Sequence, residues 1–200
     1  MRVLVVSKTR VGGGRVCVGG IDRNLGSLRL YEAGGQFPPG NSPYEVGQVW
    51  EMTYQPKPHT KPPPVEDVCV LERQPLGVQQ HLADRLRGLV DTWQGDPRVL
   101  FDGLLRFTGR MRGYVEEPGV PNRSTGFWLP ERDMRFLRVD GKAYYRYMMW
   151  DLSYVGVADP IDVIPAGTLV RVSLARWWRP LDAADGFPER CYLQLSGWYL

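Results

Sequence analysis

The sequence is poor in the side chains that build catalytic and metal-binding sites. It has two histidines and three cysteines among 200 residues. Cys17, Cys69 and Cys191 are widely spaced and form no CxxC pair, and their odd number argues against a disulfide framework. Each lies in an apolar stretch, where a thiol behaves as a small hydrophobic side chain. We therefore expect buried, reduced thiols and a cytoplasmic protein.

Long apolar runs are also missing from the sequence. No run approaches the roughly 18 residues that a transmembrane helix needs, so no membrane span is predicted. Residues 1–10 contain only a short apolar stretch, and a secretory signal peptide is therefore not expected.

The motifs of common enzymes are absent as well. Neither His59, in a proline-rich loop, nor His81, near a predicted helix start, belongs to an HExxH motif, and each is interpreted as a surface histidine. The three glycines at 12–14 lead into another β-rich run, so they predict a hairpin turn rather than a phosphate-binding loop. No cofactor, metal or catalytic residue is predicted. The scattered carboxylates leave a metal-dependent nuclease open as a weaker alternative.

Arginine, in contrast, is abundant. It supplies 21 of the 25 basic residues, and the net charge is +3. A guanidinium binds phosphate through two parallel N–H donors and stacks on bases and aromatic rings. The arginine excess fits a nucleic-acid partner, and it equally fits a genome or a growth temperature that favours arginine.

Segments with the composition of strands recur along the chain, separated by turns rich in glycine and proline. Turns rather than crossover helices join these segments, which favours antiparallel barrels or sandwiches over a parallel α/β sheet. The dipeptide Asp140-Gly141 is typical of a two-residue hairpin. The predicted strands are residues 1–8, 15–21, 27–31, 48–54 and 65–72, and then 134–139, 143–150, 152–157, 169–174 and 191–200.

One main helix is predicted, over residues 77–94. Val78, Leu86 and Trp93 fall on one apolar stripe at helical spacing, and Gly95 ends the pattern. We expect this helix to plug a barrel or to bridge two units, and a face that docks a partner is the alternative.

These elements predict an all-β protein with one main helix and two consecutive small barrels. The first barrel is expected over residues 1–76, a helical and irregular connecting segment over 77–130, and the second barrel over 131–200.

Two stretches interleave aromatic and cationic side chains. In a strand, Lys142, Tyr144 and Arg146 share one face, and a ring between two cations suits base stacking and phosphate contact. The stretch 171–179 contains adjacent tryptophans flanked by arginines. The predicted nucleic-acid contacts are Arg15, Arg29, Tyr144, Arg146, Arg176, Trp177 and Arg179.

Each of these contacts also has a plainer interpretation. Aromatic residues in small β-proteins mostly fill the core. Arg29 lies between two inward-facing leucines, so it faces away from the core and either lines a binding face or is solvated. Trp177 and Trp178 are adjacent, so one of the two is exposed if they lie in a strand.

Short segments at both ends of the chain carry a resemblance to a known family. Residues 15–22 (RVCVGGID) and 28–30 (LRL) follow the pattern GRCVAGID…W(I/V)R, with Val16 inserted and Leu28 in place of the tryptophan. Residues 151–153, 157–160 and 191–195 follow segments of the types DL, VTDP and CYKLVA. The chain thereby resembles the dual OB-containing domain family of prokaryotic proteins. The resemblance implies two tandem OB-like barrels and a nucleic-acid-binding role in conflict or defence systems, and it carries over no catalytic residue.

The favoured function is therefore non-catalytic binding of nucleic acid, single-stranded rather than duplex, because stacking faces read unpaired bases. An accessory subunit of an antiviral defence or RNA-processing assembly fits this expectation. A protein-interaction scaffold without nucleic-acid binding is the alternative, with the exposed aromatics and the proline-rich connector as contact sites.

Overall fold

The first half of the chain forms a closed five-stranded barrel. The computed structural model describes residues 1–58 and 60–200, so the prediction for His59 lies outside the described residues. The strand order around the barrel is β1-β2-β3-β5-β4, and β3 pairs with β5 in parallel while the other pairs are antiparallel. The strands are β1 (Arg2–Val11), β2 (Arg15–Asp22), β3 (Ser27–Glu32), β4 (Gln48–Pro56) and β5 (Asp67–Val78).

Alternation along the strands separates the core of this barrel from its outer face. Val16 and Val18 of β2 and Leu28 and Leu30 of β3 point inward and join one buried cluster. The residues between them face outward, as the two-residue period of a strand requires. The glycine-rich segment 12–14 forms the turn between β1 and β2, as the sequence predicts.

The second half of the chain forms a larger sheet that also includes part of the middle segment. Its principal order is β13-β10-β11-β12-β15-β14-β9-β6, and β8 pairs with both β7 and β15. The strands are β6 (Thr92–Gly95), β7 (Arg106–Phe107), β8 (Gly113–Val115), β9 (Thr125–Pro130), β10 (Met134–Val139), β11 (Lys142–Tyr147), β12 (Trp150–Tyr154), β13 (Val163–Ile164), β14 (Leu169–Leu174) and β15 (Cys191–Tyr199).

The second sheet repeats the topology of the first barrel. Its order β10-β11-β12-β15-β14 corresponds to β1-β2-β3-β5-β4, and β12 pairs with β15 in parallel as β3 does with β5. In the first barrel β1 pairs with both β2 and β4. In the second unit these two pairings are divided, because β10 pairs with β11 and β9 with β14. The second unit is thus the same fold with its first strand broken at residues 131–133.

The second unit therefore begins before residue 131. Strands β6, β7, β8 and β9 all come from residues 92–130, where the sequence predicts a helix and an irregular connection. Of these, β8 pairs with β15 and β9 with β14, which lie far along the chain, so local sequence does not reveal these pairings.

The predicted helix over 77–94 is wrong in extent. Only Leu82–Arg87 is helical, and we name this short helix α1. Residue Val78 still belongs to β5, which pairs along the whole length of β4. Trp93 pairs with β9 within β6. Leu86 of α1 is fully buried against residues of both barrels, which is the bridging position that the sequence favours.

The two barrels pack directly against each other. Val6 and Ile21 from the first and Phe127, Leu169 and Tyr199 from the second share one buried cluster with α1. The Tyr199 hydroxyl donates to the Val6 carbonyl. Backbone bonds join the barrels as well, from the Arg10 amide to the Val155 carbonyl (2.8 Å) and from the Val157 amide to the Lys8 carbonyl (3.0 Å).

Within the described part of the chain, no helix combines the length and the apolar character that crossing a bilayer requires.

Candidate functional site

The main cleft lies between the outer faces of the two barrels and has a volume of about 320 Å³. One wall is formed by β1, β2 and β3, through residues such as Ser7, Cys17 and Arg29. The opposite wall is formed by β14 and β15, through residues such as Arg171 and Gln194. Volumes of about 300–1,000 Å³ are typical of small-molecule sites.

The cleft is strongly cationic. Four arginines line it, and no carboxylate occurs among its described lining residues. The four are Arg10, Arg29, Arg171 and Arg176, two from each barrel. Arginine clusters of this kind bind phosphate groups.

The prediction that Arg29 faces away from the core and is solvated or lines a binding face is confirmed only in part. Arg29 faces away from the core of its own barrel, but it is just 6% exposed because the second barrel covers it. Its Nε lies 3.6 Å from Asp67 Oδ1, and its Nη2 donates to Ser124 Oγ at 2.6 Å. Arg29 is therefore a paired, buried cation at the edge of the cleft rather than a solvated side chain.

Arg171 is buried without an ionic partner. It is 1% exposed, its Nη1 has no hydrogen-bond partner among the described residues, and none of their ion pairs includes it. Burial lowers the pKa of this guanidinium below its usual value. The Cζ atom lies 5.3 Å from the centre of the Phe127 ring, which is a favourable contact for the charge. An unpaired buried charge is costly, and a bound anion would offset that cost.

Gly19 makes room for Arg171. A Cβ atom at this position would lie 2.9 Å from Arg171 Nη2 and 2.4 Å from Ser7 Oγ. Any larger residue at 19 would therefore displace both side chains from the floor of the cleft.

Hydroxyl groups surround Arg171 on the floor of the cleft. Ser173 and Ser196 share a hydrogen bond of 2.7 Å, and Thr125 donates to Glu66 at 3.3 Å. The Cys17 thiol also lines the cleft, and burial raises its pKa, so it is protonated at neutral pH. The floor therefore offers hydrogen-bond donors around one unpaired positive charge.

The mouth of the cleft joins cationic and aromatic groups. Tyr31 and Phe37 stack with their ring centres 4.8 Å apart. The Arg176 guanidinium lies 4.4 Å from the Phe37 ring centre and donates to the Tyr31 hydroxyl. Arg15 is exposed, and it holds this loop through a bond of 2.6 Å from its Nη1 to the Phe37 carbonyl. Three predicted residues, Arg15, Arg29 and Arg176, thus meet around one cleft.

Trp177 and Arg179 follow the cleft on the loop between β14 and β15. The Trp177 indole donates to the Pro62 carbonyl at 2.7 Å and lies 4.4 Å beneath the Lys61 ammonium. Trp178 is 52% exposed, so one tryptophan of the pair is exposed and the other half-buried. Arg179 is exposed on the same loop.

Tyr144 and Arg146 lie away from the cleft, on β11. The Tyr144 ring is 3% exposed, because Arg112 covers it and donates to its hydroxyl at 2.8 Å. Arg146 pairs with Asp151 through two hydrogen bonds of 2.8 and 3.0 Å. This surface presents a shielded ring and a neutralised cation.

Sequence reasoning missed Arg171 and its polar neighbours as a group. Along β14, Val170, Val172 and Leu174 enter the core while Arg171 and Ser173 face outward. The alternation along β14 predicts that Arg171 faces outward, but its burial by the first barrel cannot be read from local sequence. Among the residues described, no group of three His, Cys, Asp or Glu side chains is placed to hold a metal ion.

Comparison with known families gives one match. The dual OB-containing domain family matches residues 1–198 of this chain. No curated protein and no solved structure matches it.

Proposed function

Because the chain belongs to the dual OB-containing domain family, we propose that it is a non-catalytic protein that binds single-stranded nucleic acid in the cleft between its barrels. OB folds bind oligonucleotides on the face of their second and third strands. In the first barrel these strands are β2 and β3, whose outer residues Cys17, Gly19 and Arg29 line the cleft.

The observation that carries the proposal is the set of four arginines lining a cleft without a carboxylate. Phosphate contacts supply most of the affinity for nucleic acid and make it depend on salt. Phe37 is half-buried, backed by Tyr31 and close to Arg176, and it lies where a base could approach the mouth. Stacking of one base on such a group contributes about 1–3 kcal/mol. Unpaired bases suit this arrangement better than a duplex does.

A non-catalytic binding protein of this kind would recognise the nucleic acid on behalf of a larger assembly. The proposal extends to a role as accessory subunit in a prokaryotic defence or RNA-processing assembly, in which other subunits carry out the chemistry.

Fluorescence anisotropy with labelled single-stranded DNA, single-stranded RNA and duplex at two salt concentrations tests the proposal. We expect salt-sensitive binding to a single strand. Arg176→Ala removes one phosphate contact at the mouth, so it should weaken binding about tenfold and make the salt dependence shallower by about one charge. Arg132→Ala is the control, because it removes the same charge from an exposed turn between β9 and β10.

Equal effects of the two substitutions would mean that net charge rather than the cleft governs binding. No binding to any of the three nucleic acids at low salt would contradict the proposal. That result would favour the scaffold alternative, in which the loop bearing Trp178 and Leu181, both exposed, meets a protein partner.

A further inference from the structure

Among the described residues, Arg171 is the buried arginine of the cleft that forms no ion pair, and the Glu66 carboxylate acts on its charge only from a longer distance. Arg29 pairs with Asp67, Arg10 donates to the Gly156 and Val157 carbonyls, and Arg176 donates to a tyrosine hydroxyl. Arg171 has neither an ion pair nor a partner for its Nη1. The fold therefore maintains a buried positive charge that an anion could neutralise.

The surroundings of Arg171 fit a group with several oxygen acceptors. Ser7, Ser173 and Ser196 line the floor, and the Ser7 hydroxyl and one hydroxyl of the Ser173–Ser196 pair can donate hydrogen bonds to a ligand. The absence of a side chain at Gly19 lets the Ser7 hydroxyl and the Arg171 guanidinium lie together over its Cα. A phosphate oxygen beside a guanidinium and several hydroxyls would receive charge-assisted and neutral hydrogen bonds together.

Contacts between the barrels border the floor on two sides. On one side Arg10 is bonded to the carbonyls of residues 156 and 157. On the other side Arg29 is bonded to Ser124, whose amide donates to Glu66 at 2.7 Å. A strand that ran through the floor would have to break one of these sets of contacts. A ligand that ends at the floor leaves both sets of contacts between the barrels intact.

We infer that the floor of the cleft binds a phosphomonoester, with Arg171 as its main ionic partner, so that the site recognises a phosphorylated strand end or a free nucleoside monophosphate. The form of this inference in which the ligand is a strand end rests on the proposed function. A phosphomonoester carries up to two negative charges near neutral pH and exposes three oxygens, whereas an internal phosphodiester carries one charge.

The test uses the full-length protein and short single strands that differ only in their ends: 5′-phosphate, 3′-phosphate or hydroxyl at both. A nucleoside monophosphate and inorganic phosphate serve as competitors. The wild-type protein should bind one phosphorylated strand about tenfold or more tightly than the hydroxyl-ended strand, the size expected of one charge-assisted bond. Arg171→Met should remove that preference, because it should weaken binding of the phosphorylated strand about tenfold more than binding of the hydroxyl-ended strand.

Arg176→Ala is the matched variant, because it removes a rim arginine. It should weaken binding of both strands alike and keep the preference for the phosphate. Thermal melting of each variant confirms that it is folded. Equal binding of phosphorylated and hydroxyl-ended strands by the wild type, or an unchanged preference in Arg171→Met, would overturn the inference and leave the proposed function standing.

The remaining outcomes separate the two sources of the phosphate. Binding of the nucleoside monophosphate that depends on Arg171, without binding of any strand, would support the phosphate site and contradict the proposed function. If none of the probes binds, both the phosphate site and the proposed function are overturned.

Discussion

At the scale of the residue, Arg29 and Arg171 show two ways of burying a guanidinium. Arg29 is 6% exposed and faces a carboxylate, while Arg171 is 1% exposed and faces none in the described chain. The first arginine stabilises the fold, because its removal leaves Asp67 buried with no counter-charge. The second is costly to the unliganded fold. A costly buried charge is the signature of a site that is completed by its ligand.

Substitution of these two residues should therefore change stability in opposite directions. Arg171→Met removes the desolvation cost and loses the contact with Phe127 and the longer-range attraction of Glu66, so we expect the free energy of unfolding to rise by about 1 kcal/mol. Arg29→Met should lower it by about 3 kcal/mol, because it leaves a buried carboxylate unpaired. Urea denaturation of both variants measures the difference. A loss of stability in both would show that Arg171 is paired in solution.

Residue-level prediction from sequence succeeds where the alternation of one strand decides the outcome. Leu28 and Leu30 enter the core and Arg29 faces away from it, as predicted. The burial of Arg29 and the covering of Tyr144 by Arg112 depend on segments distant in sequence. Solvent exposure of an outward-facing residue therefore could not be predicted from the strand that carries it.

At the scale of the element, the hairpin between β10 and β11 is set by local chemistry. Asp140 and Gly141 both have positive φ, at 50° and 74°, which is the geometry of the two-residue turn that their types predict. Helix α1 is the opposite case. The apolar spacing over 77–94 is helical, but pairing with β4 at one end and β9 at the other takes its flanks into strands. Long-range pairing outweighs local periodicity there.

The hairpin gives a prediction at this scale. Gly141→Ala places a side chain at a φ of 74° and should lower the free energy of unfolding by about 1–2 kcal/mol. Asp140→Asn is the control and should change it by less than about 0.5 kcal/mol, since asparagine is equally suited to this turn. Chemical denaturation followed by circular dichroism measures both. Equal stability of Gly141→Ala and the wild type would mean that the turn adopts another conformation.

At the scale of the whole molecule, the free energy of unfolding should decrease at alkaline pH. Burial raises the pKa of Cys191 from 9.0 to about 12. It likewise raises the pKa values of Tyr31, Tyr145 and Tyr154 from 10.0 to about 12. In the unfolded chain these groups lose their protons at lower pH than in the folded protein, so the unfolded state binds fewer protons in this range.

The free energy of unfolding should therefore stay level up to about pH 9 and fall as the pH rises towards about 12. Urea denaturation at a series of pH values measures the fall, and tyrosinate absorbance in the folded protein reports the delayed ionisation. Tyr145→Phe removes one of these groups and should make the fall shallower. A free energy of unfolding that is independent of pH in this window would contradict the burial of these side chains.

The two barrels share one topology, and the fold brings the outer face of β2 and β3 in the first against β14 and β15 of the second. Sequence patterns and the family resemblance predicted both barrels, because strand composition and turn chemistry are local. The cleft between them depends on how the barrels dock, and no pattern within either half encodes that contact alone. Its residues come from β1, β2, β3, β9, β14 and β15 and from the turn and loops that carry Gly12, Phe37 and Arg176.

Photocrosslinking of the full-length protein to a labelled single strand, with mass spectrometry of the crosslinked peptides, tests the central claim most directly. If the strand binds between the barrels, crosslinks should fall on Phe37 and Cys17 at the cleft. They should decrease when Arg176 is replaced by alanine. Crosslinks confined to the β11 surface around Tyr144, unchanged in the Arg176→Ala variant, would contradict the assignment of the cleft as the binding site.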